Sequence, residues 1–126
     1  MTTALWNPPV PSTALLDPGP VLEVRPGREI ALRMSYETDV NEQTVRLVFQ
    51  GVEAYKVTYY NAVPTAVLEA YNRLIDLGRT AWLDEISGNL KRRGENPVGL
   101  VHLMITFDDG PCYEVICRSH RIQEGA

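Results

Sequence analysis

The feature that most constrains this chain is the alternation of apolar and polar residues in three segments between residues 29 and 60. Ile30, Leu32, Met34 and Tyr36 share one parity, against Ala31, Arg33 and Ser35. Val45, Leu47 and Phe49 follow the same rule against Thr44, Arg46 and Gln50, with Val48 breaking the polar face. Tyr55, Val57 and Tyr59 then oppose Lys56, Thr58 and Tyr60. A period of two describes antiparallel strands with one face buried. The spacers 37–43 and 51–53 are short and polar or glycine-containing, as hairpin connections are. A shorter strand over 21–24 ends at the turn signal Arg25-Pro26-Gly27-Arg28.

After residue 60 the period lengthens to about 3.6. Asn61-Ala62-Val63-Pro64 reads as a helix entry, because Pro64 in the first turn lacks only an N–H that would be unpaired there anyway. Val67, Leu68, Tyr71, Leu74 and Ile75 form an apolar stripe, and Gly78 sits where a left-handed cap ends a helix. Thr80 N-caps a second, short helix carrying Trp82, Leu83 and Ile86, closed by Gly88. Two more strands follow, over 98–107 and 112–118. No βαβ alternation recurs, which argues against a parallel sheet. The expected fold is α+β: an antiparallel sheet of about six strands in the order ββββ-αα-ββ, with a helical pair packed on one face.

The 126 residues suit one domain, expected over residues 21–126. A proline-rich arm precedes it over 1–20, with prolines at 8, 9, 11, 18 and 20. Polyproline backbone makes no ladder bonds, so the arm is mobile or laid against a surface, and Trp6 and Leu5 are the groups to anchor it, on this subunit or a neighbour. The first residues lack a basic segment and an apolar core of signal-peptide type, and the apolar runs are too short for a bilayer; a cytoplasmic protein without membrane contact is the default expectation. The net charge of −4 argues against a nucleic-acid partner. Lys91-Arg92-Arg93, flanked by Gly-Asn and Gly-Glu-Asn-Pro, reads as an exposed basic loop.

The stretch FDDGPCYEVIC, residues 107–117, concentrates the polar chemistry. Asp108, Asp109 and Cys112 lie at its turn, and His102 lies across it, so these four are the candidate site. A two- or four-residue loop sets His102 opposite Cys117; a three-residue loop sets it opposite Ile116, and that slip reverses the faces. Asp-Asp-Gly-Pro is also ordinary turn chemistry. Adjacent aspartates on a strand point apart, and one histidine with two scattered cysteines has no zinc-ligand spacing, so neither a metal nor a cofactor is expected. Five extended residues span too far for a Cys112–Cys117 disulfide, which leaves two free thiols. No glycine-rich phosphate loop, G-x-S-x-G or S-x-x-K pattern occurs, and no catalytic residue is assigned.

Taken together, TFDDGPCYEVICRS, TAWLDEI and VTYYNAV resemble segments of small uncharacterised bacterial α+β domains, some of them suspected immunity-type or accessory proteins. The resemblance spans roughly residues 44–119 and implies a protein partner and no catalytic residues. The expected function is therefore a non-enzymatic protein-interaction domain, self-associating or bound to another protein, with Trp6, Tyr60, Arg92 and Arg93 as candidate interface residues. Outward tyrosines fit such a surface. The alternative is a small ligand-binding domain or enzyme with its site near the 102–117 hairpin.

Overall fold

The computed structural model describes residues 2–59, 70–107 and 111–125. Among them are nine strands: β1 (Thr3–Trp6), β2 (Val21–Arg25), β3 (Glu29–Glu37), β4 (Glu42–Gln50), β5 (Ala54–Thr58), β6 (Leu74–Asp76), β7 (Val101–Thr106), β8 (Cys112–Cys117) and β9 (Ser119–Glu124). One α-helix, α1 (Ala81–Arg92), and a 3-10 turn at Ser12–Ala14 complete them. All strand pairing is antiparallel. Sheet A runs β1-β6-β7-β8-β5 and sheet B runs β2-β3-β4-β9. The expected single six-stranded sheet under a helical pair is thus corrected to a mostly β protein with two sheets and one helix among the described residues.

The alternation read from the sequence decides which side chains lie between the sheets. Ile30, Leu32, Met34, Val45, Leu47 and Phe49 of sheet B meet Leu74, Leu103, Ile105, Tyr113, Val115 and Cys117 of sheet A in one core. Two connections switch sheets at a shared corner: residues 51–53 carry β4 into β5, and Arg118 alone carries β8 into β9. Gly51 has φ of +64°, and a Cβ there would lie 3.0 Å from the Arg118 Cβ. A side chain at 51 would therefore be strained by its backbone and crowded at once.

The expected first helix fails for a physical reason. Its opening turn, 61–69, lies outside the described residues, but Leu74–Asp76 is a strand held between β1 and β7. Leu74 points into the core and Ile75 to the opposite face. A short apolar run satisfies either period, and pairing with residues distant in sequence decides it. The second helix starts at Thr80 as expected, and the Leu83 N–H donates to its hydroxyl at 3.2 Å. It does not stop at Gly88. An interior glycine costs about 1 kcal/mol relative to alanine, and the helix carries on to bury Leu90. Lys91 and Arg92 are consequently its last turn and not a loop.

The N-terminal residues are laid against the sandwich. Thr3–Trp6 pairs with β6, Trp6 and Leu15 pack on the core, and the Leu16 N–H donates to the Ser35 carbonyl at 2.8 Å.

Candidate functional site

The outer face of sheet A holds the most concentrated polar chemistry. In β7, His102 shares a face with Met104 and Thr106; in β8, Glu114 shares it with Cys112 and Ile116. The observed register sets His102 opposite Ile116, which is the three-residue-loop alternative. Glu114 is then the diagonal neighbour of His102, close enough to bond. His102 Nε2 lies 2.9 Å from Glu114 Oε1, and Thr80 Oγ1 lies 2.7 Å from His102 Nδ1. Nε2–H donates to the carboxylate, and the Thr80 hydroxyl, which also accepts the Leu83 N–H, bonds Nδ1 as donor or acceptor according to the tautomer. The result is a hydroxyl–imidazole–carboxylate chain joining the first turn of α1 to two central strands.

Around it, the Trp82 ring meets His102 edge-on at 5.2 Å. The Lys56 ammonium of β5 lies 4.4 Å from the Trp82 ring centroid and 3.8 Å from Glu114 Oε2. The cation thus offsets a carboxylate that would otherwise be costly to bury. His102 is 4% exposed and Glu114 5%. Such a chain could in principle shuttle a proton to a nucleophile. Here the imidazole is enclosed and the hydroxyl is committed to capping α1, so the arrangement fastens the helix to the sheet.

The other candidates separate from it. Asp108, Asp109 and Tyr60 lie outside the described residues. Cys112 is fully buried on the outer face of sheet A with Ala70, Ile75 and Met104; burial pushes its thiol up, and the Glu114 charge adds to the effect. Cys117 faces the opposite way, into the core, where burial pushes its thiol up to about 12. His102 and Cys117 therefore form no nucleophile–base pair, and neither thiol resembles the exposed, thiolate-stabilising setting of a reactive cysteine. Trp6 is half-buried against the core, while Arg92 and Arg93 are exposed at the end of α1. Among the described residues no group of three or more His, Cys, Asp or Glu is placed to hold a metal ion.

Sequence reasoning missed Thr80, Glu114 and Lys56 as partners of His102. The signal available was conditional: only the three-residue register sets Glu114 diagonal to His102, and the turn residues do not choose among registers.

A different surface lies at the sheet edges. Among the described residues β5 ends sheet A and β2 ends sheet B, and Val24 and Tyr55 line one hollow of about 300 Å³ between them. Tyr55 is 42% exposed, Val57 37%, Tyr59 75% and Val24 65%. Lysines commonly guard an open edge. The lysine of β5 is instead engaged with Glu114 and Trp82.

No family model, curated protein or solved structure matches this chain. No helix among the described residues is long and apolar enough to cross a membrane.

Proposed function

We propose that this is a non-enzymatic protein-interaction domain that self-associates through the edge strand β5. The observation that carries the reading is the exposed row Tyr55 and Val57 on β5, continued by Tyr59 just past its end, on a strand that is terminal among the described residues and whose one lysine is tied to Glu114 and Trp82. An antiparallel strand meeting its own copy across a two-fold axis is self-complementary, and strand addition draws its affinity from main-chain hydrogen bonds. Tyrosine supplies contact area with a polar tip at such surfaces. An immunity-type role is a more specific form of the same reading; it rests on the acidic net charge and a basic partner.

Light scattering coupled to size exclusion, over rising protein concentration, tests this. The expected result is a dimer that Val57→Lys converts to a folded monomer whose melting temperature no longer rises with protein concentration. A wild-type chain that stays monomeric across the range overturns the reading.

One observation favours the second reading, a ligand-binding domain or enzyme near the 102–117 hairpin: the Thr80–His102–Glu114 chain has the bonding order of a nucleophile triad. Thr80→Ser would retain the nucleophile and the cap, whereas Thr80→Ala would abolish any ester hydrolysis. Equal, background-level turnover in both variants and wild type removes it.

A further inference from the structure

Beyond the sheet edge, a cleft of about 610 Å³ opens between the β2–β3 turn, residues near the start of β5 and the C-terminal half of α1. Its charged lining is Arg28, Arg92 and Arg93 with Glu53 and Glu95, and Ile86 and Leu90 supply apolar lining. The volume is that of a small-molecule site.

Three observations separate this cleft from an ordinary charged surface. First, Glu53 is consumed within it. Its carboxylate accepts from Arg28 at 3.0 Å and from Arg118 at 2.7 Å, so one acid organises two guanidinium groups. Arg92 is held by Asn89, and Arg93 has no ion-pair partner among the described residues. With Arg118 at its margin, the site sets four arginines against two glutamates, in a chain whose net charge is −4.

Second, the basic residues are not needed to neutralise the end of the helix. The Glu95 and Arg93 N–H groups donate to the Leu90 carbonyl, and the Gly94 N–H donates to that of Lys91. Gly94 at φ +75° completes the usual left-handed terminus.

Third, Arg28 occupies a left-handed backbone position with φ +60°. It is the last residue of the three-residue Pro26-Gly27-Arg28 turn, since Arg25 pairs with Glu29. Glycine or asparagine ordinarily fills such a position, and strained backbone clusters at ligand clamps. Its carbonyl accepts the Val52 N–H at 2.9 Å, which fixes the turn over the cleft.

We infer that the cleft formed by Arg28, Arg92 and Arg93 beside Ile86 and Leu90 binds a phosphate-bearing small molecule. Arg28, Arg92 and Arg93 line one cleft, and a tetrahedral phosphate offers enough oxygens to engage more than one of them. A phosphate group also carries more negative charge and more acceptor oxygens than a carboxylate. The apolar lining receives the organic part of the molecule.

The test is amide chemical-shift titration in phosphate-free buffer with inorganic pyrophosphate, adenosine diphosphate and succinate, on wild type, Arg28→Gly and Arg93→Ala. Arg28→Gly removes a guanidinium while relaxing the turn, so its melting temperature should hold or rise. The expected result is saturable binding of pyrophosphate that each variant weakens at least tenfold, with adenosine diphosphate tighter and succinate at least tenfold weaker. No saturable pyrophosphate binding, binding unchanged in both variants, or succinate binding as tightly as pyrophosphate overturns the inference. Oligomeric state is read separately, so failure here leaves the β5 edge reading untouched, and the converse holds.

Discussion

The two outer faces of the sandwich solve the same problem in opposite ways. On sheet B, Ala31 and Val48 are small enough to be fully covered by the long side chains around them. Glu23 forms ion pairs with Arg25, Arg33 and Arg46, and Glu29 with Arg25 and Arg121. These charges stay partly in water, and their attraction is correspondingly weak. On sheet A a buried imidazole and carboxylate lie under a helix, and the cost is met by a closed set of contacts among Thr80, His102, Glu114 and Lys56. The first face tolerates the loss of a member; the second should not.

The sharpest way to break that contrast is Glu114→Ala. Removing the carboxylate leaves the buried Nε2–H of His102 unpaired, and a loss of about 1–3 kcal/mol in urea unfolding is expected. Glu114→Gln, whose amide oxygen can still accept from Nε2–H, should lose less. A loss under about 1 kcal/mol for Glu114→Ala would place the two faces on a par.

Thiol chemistry probes the same face. Cys112 should react with a small disulfide reagent at least about a hundredfold slower in the native state than in urea, since reaction requires opening. Its folded-state pKa is raised. Its contribution to stability is therefore complete below the unfolded value and is lost as pH rises through the folded one. Cys117, pushed to about 12, titrates in the same direction from the core. Urea midpoints measured upward from pH 8 should fall, and less steeply in Cys112→Ala.

Thr80→Ala removes both a helix cap and the Nδ1 partner. About 1–2 kcal/mol is expected, with Thr80→Ser recovering most of it. The smallest effect belongs to sheet B. Glu23→Gln should cost less than about 1 kcal/mol and should vanish in 1 M salt. Burial alone would raise the Glu23 pKa, but the bonds and charges of Arg46 and Arg25 outweigh it and hold the carboxyl low. That contribution is present above the unfolded value near 4.5 and disappears as pH falls through the folded one, so the variant should flatten the acid limb slightly.

The same division explains what was legible in the sequence. Local alternation is a property of each strand by itself, and it located β3, β4, β5, β7 and β8 and sorted Ile30, Leu32, Val45, Leu47 and Phe49 to the core. Thr80 was legible because capping is local. Which strands share a sheet is not local. Leu74-Ile75 changes from helix stripe to strand only once β1 and β7 flank it, and Thr3–Trp6 finds its partner about seventy residues away. The split into two sheets follows from single-residue and three-residue corners at Arg118 and 51–53 that look like ordinary hairpin turns. His102 was legible as a candidate, but its partners were not, because the hairpin register that selects Glu114 depends on one residue of loop length.

If the chemistry of sheet A is structural, the function belongs to the edge, and hydrogen exchange tests that most directly. Amide exchange should be followed for residues 54–58 and for the other terminal strands β1, β2 and β9, from micromolar to near-millimolar protein. Protection that rises with concentration in β5, while β1 and β9 stay unchanged, is the predicted result. Exchange in β5 that is independent of concentration would contradict the account.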